Sequence, residues 1–507
     1  MKKITKLILV CLLALGMVIV CPVRENVQAE GTIANLKADA NGVVTWNAYP
    51  GAIEYDIYID DEFINTVTSP SINVKEYLMD WCAANGTYTV TVTAWQYSDT
   101  WYLIADGSVN YSYTAPNGTL AAPSKAWWDG TDAHWDPVPN AERYFIDIYC
   151  NGELVDSTIA WGDNMAYLYY YTAGRHNVYS FGVSAAGYGY SRSPYVYSGN
   201  INGHDPRVDR LSGKNRYDTS LQVAQYFVDS LGGPGSVYSA VIATGKDFPD
   251  ALSGSYLANM MQAPLILISK NSAADVCQFI KDNINHNGQI YILGGTGAVP
   301  DEWIAPLFAD FANVSRIAGK NRYQTNLDIL RTAGVSHYDE ILVCTGKGFA
   351  DSLSASSVRD PILLVGSSLT AEQKQFLSTE ARKCTFIIIG GTGAVSEAVE
   401  ADLNNYGYVY DRIAGKNRYE TSYLVADYFF GHYSKEVILA TGKDFPDGLS
   451  GGPLGYLFNA PILLVSPNSN SNAAKYAAEN RISIATVLGG EGAVSTAAVN
   501  VILGLSQ

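Results

Sequence analysis

Charge is scarce in this 507-residue chain: only 16% of its residues are Asp, Glu, Lys or Arg, and 33 bases face 49 acids, for a formal net charge of -16. This shortage of positive charge excludes the basic footprint that a nucleic acid would need, so no nucleic-acid partner is expected. Cysteine is sparse too. After residue 29 only Cys82, Cys150, Cys277, Cys344 and Cys384 remain, an odd and scattered set without CxxC spacing. That excludes a disulfide framework or zinc knuckle and predicts small buried side chains. The six histidines show no HExxH spacing, and neither a metal nor a cofactor is implied. Long apolar runs are also lacking. Residues 7–20 form a run of 14, short of the roughly 20 needed to cross a bilayer. It follows Lys2, Lys3 and Lys6 and precedes Pro22 and Val27-Gln28-Ala29, so residues 1–29 read as a secretory signal peptide cleaved before Glu30. Cys21 follows Val20 rather than a small residue, so a lipoprotein-type cleavage motif is absent. Cleavage removes Lys2, Lys3, Lys6, Arg24 and Glu25, shifting the net charge from -16 to about -19 and leaving no transmembrane segment.

The remainder has two textures. Residues 31–204 hold eight of the nine tryptophans and 18 acids against 6 bases. Tyr55, Ile57 and Ile59, then Tyr88, Val90 and Val92, alternate at period two, as strands with one buried face require. The scheme recurs with Trp135, then Tyr144, Ile146 and Ile148, then Val178 and Phe181, predicting two tandem sandwiches. A Trp, a Pro/Gly/Ala turn, a Tyr-led strand and a late G-x-Y-x-V-x-A strand together resemble fibronectin type III domains over about a third of the chain. Trp46, Trp135, Tyr55 and Tyr144 are assigned to the cores of domains at 30–117 and 118–204. Trp95, Trp101, Trp127, Trp128 and Trp161 are read as packing residues, with exposed glycan-stacking platforms as the alternative.

From Asp205 onward, short apolar runs ending in Gly alternate with helical patterns. "SAVIATG", "APLILIS" and "QIYILGG" read as strands buried on both faces, the mark of a parallel sheet covered by helices. Three strings, "RLSGKNRYDTS" from Arg210, "RIAGKNRYQTN" from Arg316 and "RIAGKNRYETS" from Arg412, recur about 100 residues apart. Each is followed in fixed order by a TGK string, a P-[IL]-L-[LI] run and a GG-x-GAV turn. One unit has been copied three times, over 205–315, 316–411 and 412–507, and the simplest arrangement is three α/β units about a pseudo-threefold axis.

These ordered motifs resemble the cell wall binding repeat 2 family over about 60% of the chain. The resemblance implies a bundle of three Rossmann-like units that holds a secreted protein non-covalently to an anionic secondary wall polymer of a Gram-positive surface, with no reaction attributed to the repeats. The second copy departs from the pattern. Gly348 and Ala350 replace the Asp and Pro of the other copies, and Asp360 replaces the Ala before Pro361, which leaves its share of binding open.

Asn215, Asn321 and Asn417 each stand three residues before Asp218, Gln324 and Glu420 at a helix start, which is capping-box spacing. Lys214 and Arg216, Lys320 and Arg322, and Lys416 and Arg418 flank the same helix starts and are the candidate polymer-binding residues, because cationic donors there suit a phosphate or carboxylate. The competing assignment pairs each Arg within its own unit to Asp250, Asp351 or Asp447. An acidic total does not veto an anionic ligand, since charges beyond about 8 Å are largely screened at physiological salt. Repeated seats on a repeating polymer would add through effective concentration.

No catalytic residue is assigned and the chain is read as a non-enzyme. The GG-x-GAV turns are neither G-x-G-x-x-G nor a Walker A and read as tight strand-to-helix turns. "GLSGG" around Ser450 matches a nucleophile elbow only formally, because the preceding strand ends near Thr441. Asp60 and Asp61 read as a solvated hairpin turn rather than a glycosidase pair. The C-terminal "GLSQ" carries no sorting motif, so retention at the wall is expected to be non-covalent. The sandwiches are then spacers or modules for a protein or glycan partner. The competing class is a peptidoglycan hydrolase or a non-catalytic modifier of one.

Overall fold

The computed structural model describes residues 31–97, 101–337, 339–431, 433–466 and 470–505; the signal peptide expected at 1–29 lies outside the described residues. The chain divides into two compact units, one running to Tyr167 with Ser180–Ile201, the other holding Leu168–Tyr179 and everything from Asn202 onward.

The first unit contains two β-sandwiches. In the first, a five-stranded sheet built around Glu54–Ile59 and Gly86–Tyr97 faces a three-stranded sheet around Val43–Thr45. Tyr55, Ile57, Ile59, Val90 and Val92 all point into one core, as period-two alternation dictates. The second sandwich repeats the plan with Arg143–Cys150 paired to Glu153–Trp161. In each, a tryptophan packs on the tyrosine at the start of the following strand, Trp46 on Tyr55 at 5.2 Å and Trp135 on Tyr144 at 5.1 Å between ring centroids. The tyrosine hydroxyl then accepts a backbone N–H six residues upstream, from Tyr49 at 2.9 Å and from Val138 at 2.8 Å. This ties off a loop whose donor would otherwise be unpaired. Trp95 is buried, whereas Trp161 stands exposed. The two sandwiches are joined by side chain to backbone bonds: Cys82 Sγ to the Gly187 carbonyl at 3.2 Å, Ser191 Oγ to that of Ala83 at 2.9 Å, and Arg143 to that of Asp80. The five cysteines among the described residues are buried and form no disulfide there.

The second unit is α/β and contains three four-stranded, wholly parallel sheets, each with its central strands buried on both faces. The first runs Leu265–Ile268, Val237–Thr244, Ile284–Leu293, Asn313–Ile317, and the second Ile362–Val365, Glu340–Thr345, Thr385–Ile389, Tyr408–Ile413. Each ends on a strand that leads into the next copy's motif. The third sheet, Ile462–Val465, Glu436–Thr441, Ile484–Leu488, is completed by Arg207–Leu211 from the start of the unit. The strand carrying the repeated R-[LI] pair therefore always belongs to the preceding sheet, and the first such strand closes the last.

Equivalent positions of the copies converge. The rings of Phe248, Phe349 and Phe445 form a triangle with centroids 6.3, 5.7 and 5.8 Å apart. Seven residues further along each copy, Ser255, Ser356 and Gly452 meet; a Cβ on Gly452 would stand 2.8 Å from the Ser356 carbonyl and 2.9 Å from Ser255 Oγ. Glycine in one copy gives the two serines room.

Candidate functional site

The repeated string is foremost a brace. Asn215, Asn321 and Asn417 adopt extended backbone and accept the backbone N–H groups two and three residues further on at 2.9–3.1 Å, capping Arg216–Ser230, Arg322–Ala333 and Arg418–Phe429. The reciprocal half expected of a capping box differs. Gln324 and Glu420 bond the backbone N–H of Lys320 and Lys416, one residue before the cap, at 3.1 and 2.7 Å. Asp218, a methylene shorter, instead takes the Asn215 amide at 3.2 Å. The glycine ahead of each Lys packs against the helix's first turn, where a Cβ on Gly213, Gly319 or Gly415 would approach the following acid or amide to 2.2–2.6 Å.

Arg210, Arg316 and Arg412 turn out to be structural clamps that sequence reasoning did not assign. Arg210 donates to the carbonyls of Gly489 and Val494 at 2.9 and 2.8 Å, Arg316 to Gly294 and Val299 at 2.8 Å each, and Arg412 to Gly390 and Val395 at 2.8 and 3.0 Å. Each clamp holds a GG-x-GAV turn whose first glycine has φ of +90° to +112°. The signal was present in the sequence, a basic residue at one fixed position in every copy.

The candidate arginines converge around the phenylalanine triangle, each facing the copy before its own. Arg322 lies 5.5 Å from the Phe248 ring, Arg418 lies 5.1 Å from Phe349, and Arg216 lies 5.7 Å from Phe445, so the relation runs cyclically. Each also donates to a carbonyl of its own copy, of Gly245, Gly346 or Gly442, at 2.6–2.8 Å. The pairing expected within a unit is corrected here: Asp250 feels Arg322, Asp351 feels Arg418, and Asp447 feels Arg216, because each guanidinium reaches across the junction. Burial nevertheless dominates and raises all three carboxyls, Asp351 to about 6. Lys214, Lys320 and Lys416 are exposed, and among the described residues their side chains form no ion pair.

A different lysine enters the site. Lys347, of the TGK string, lines two adjoining cavities of about 340 and 530 Å³ that share Thr345, Gly348 and Ala394. The larger reaches the phenylalanine triangle and includes Arg418, Asp351 and Asp444. The smaller lies where the loops after Glu340–Thr345, Ile362–Val365 and Thr385–Ile389 come together, at the carboxyl ends of parallel strands. That is where open α/β sheets bind ligands.

Ser450 is buried as the residue preceding Gly451–Leu457 and stands nine residues beyond the strand end at Thr441. Among the described residues no cluster of His, Cys, Asp and Glu could hold a metal, and no helix is long and apolar enough to cross a membrane.

Three ordered α/β copies sharing one core, with repeated cations around their junctions, define a repeat-built binding module. The chain belongs to the family of cell wall binding domain 2 (CWB2), whose model matches residues 210–304, 316–400 and 412–499. Membership places it among the wall-binding proteins of the cell surface. It is 26% identical over 303 residues to N-acetylmuramoyl-L-alanine amidase LytC of Bacillus subtilis, covering 58% of each chain. It is 29% identical over 278 residues to the amidase enhancer of the same organism, covering 53% of this chain and 36% of the relative. The chain thus spans about a third to three-fifths of the length of these relatives. Among solved structures it shares the fold of Cwp8 from Clostridium difficile, with a TM-score of 0.51 and 16% identity over 94% of this chain and 96% of that one.

Proposed function

We propose that this is a secreted surface protein held non-covalently to the cell wall by three Rossmann-like repeats in a pseudo-threefold bundle, with an anionic wall polysaccharide as the ligand. The observation that carries the reading is the cyclic placement of Arg216, Arg322 and Arg418 around one aromatic triangle, each presenting charge at a junction between copies. Three junctions on one module match a ligand that is itself periodic. Lys214, Lys320 and Lys416, exposed and free of ion pairs among the described residues, supply further charge beside them. The sandwiches are carried as spacers or partner-binding modules, and the chain performs no reaction of its own.

The test is co-sedimentation of the full chain with purified walls before and after chemical removal of their anionic polymers. Retention that falls after stripping supports the reading, and undiminished retention overturns it. A second reading, a wall hydrolase or the modifier of one, follows from the names of the amidase and amidase enhancer to which the chain is similar. Release of soluble fragments from walls by the full chain, alone or added to an amidase, would establish that second reading instead.

A further inference from the structure

The three junctions are not equivalent. Arg322 donates to Asp247 of the first copy at 3.1 Å, so part of its charge is neutralised. The residue of the second copy that corresponds to Asp247 is Gly348, and Arg418, which faces it, is more exposed than Arg216 or Arg322. The third copy keeps the carboxylate as Asp444. The second copy is also the one with the least side chain around its strand ends. Gly366 stands where the others have Ser269 and Ser466, with Tyr323 Oη 3.1 Å from where a Cβ would be. Thr392, like Thr296 of the first copy, stands where the third copy has Glu491, which pairs there with Arg210 at 3.4 Å. Gly348 and Gly366 line the 340 Å³ cleft, whose one charged residue is Lys347 and whose remaining polar side chains are the hydroxyls of Thr345, Ser367, Thr392 and Ser396.

We infer that the copy which departs from the repeat pattern is the principal seat, taking one acidic sugar residue of the wall polymer; this rests on the polymer reading above. The sugar ring lies in the hydroxyl-lined cleft, which is at the small end of the range for ligand sites. Its anionic group lies in the adjoining cavity between Lys347 and Arg418, beside an arginine whose counterpart Arg322 is met by the Asp247 carboxylate. Asp351 and Asp444 border that cavity and confine the anion to the Lys347 and Arg418 side. Loss of one carboxylate thus converts a structural ion-pair corner into an anion seat. The first and third copies contribute weaker seats at their own junctions.

The experiment measures wall retention of the full chain and its variants. Gly348→Asp restores the carboxylate of the other copies; a Cβ there would meet only Thr345 Cγ2, at 3.7 Å, so the position accepts it. Gly348→Asp and Lys347→Ala are each expected to weaken retention by about tenfold or more, the loss of one charge-assisted contact, whereas Lys246→Ala and Lys443→Ala change it by less than about twofold. Unchanged retention in both Gly348→Asp and Lys347→Ala, or equal losses for the three lysines, overturns the principal-seat inference while wall binding stands. A wild-type chain that does not sediment with walls overturns both readings. Hydrofluoric acid, which cleaves phosphodiesters, and carbodiimide amidation, which neutralises carboxylates, separate the two sources of the anion. Loss of wild-type retention in one arm names the source, and undiminished retention in both arms overturns the seat together with the polymer reading.

Discussion

Arg418 stacks 5.1 Å from the Phe349 ring while the neighbouring loop offers it no counterpart of the Asp247 carboxylate that holds Arg322. The difference decides how each arginine is kept in place. The Arg322–Asp247 pair is one-third to one-half exposed and is worth about 0–1 kcal/mol. What fixes all three guanidinium groups is the shared geometry of one carbonyl and one aromatic face, which survives whether or not a carboxylate is near. Charge at the junction can therefore vary between copies without unravelling the bundle.

The clamps should separate stability from binding. Removing the Arg316 side chain leaves the Gly294 and Val299 carbonyls without their partner. Arg316→Ala is expected to lower unfolding free energy by about 1–3 kcal/mol, read from the urea midpoint. Wall retention of the still-folded fraction should be unchanged, since Arg316 lies outside both cavities.

Two glycines of one loop should respond oppositely to the same change. A Cβ on Gly346 would stand 2.7 Å from the Tyr323 ring, whereas one on Gly348 meets nothing closer than 3.7 Å. Gly346→Ala is expected to destabilise by about 1–3 kcal/mol, and Gly348→Ala by less than about 0.5 kcal/mol. Matched thermal melts of the two variants check the contrast.

Buried carboxyls give the module an acid-side stability profile. Burial raises Asp351 and Asp360 to about 6 and Glu436 to about 7, above their unfolded values. Between roughly pH 4 and 7 the folded chain therefore binds more protons than the unfolded one, so stability falls as pH rises through this window. Urea midpoints should decline from pH 4 to 7, and Asp351→Asn should flatten the portion between pH 4 and 6. A midpoint that climbs over this range in the wild type would refute the assignment.

The periodicities that mark the fold are local, and for that reason they can be read from the chain. Tyr55-Ile57-Ile59 and "SAVIATG" announce strands because burial of one face or two is written into residue order. The Asn caps are legible in the same way, since each Asn immediately precedes its helix and bonds N–H groups within three residues. The aromatic partners of Arg216, Arg322 and Arg418 are not, because each lies in another copy, about 70 to 230 residues away. Lys347 was hidden for a further reason: its string recurs three times with the lysine intact, and only the replacement of the next residue by glycine distinguishes it.

Closure of the bundle depends on one short strand. Arg207–Leu211 pairs in parallel with Ile484–Leu488, and Arg210 clamps the last GG-x-GAV turn, so segments 279 residues apart in sequence are joined. Chain connectivity supplies the equivalent strand for the first and second sheets, but the third must recruit its own from the far end of the module. A fragment beginning at residue 212 would leave Ile484–Leu488 as an unpaired edge and the Gly489 and Val494 carbonyls without their clamp. Compared with a fragment beginning at residue 205, it is expected to lose hydrogen-exchange protection first in the third sheet, while Val237–Thr244 and Glu340–Thr345 stay protected. Uniform loss across all three sheets would instead mean that the shared core unfolds as one cooperative body, and equal protection in the two fragments would mean that the closing strand contributes nothing to holding the third copy.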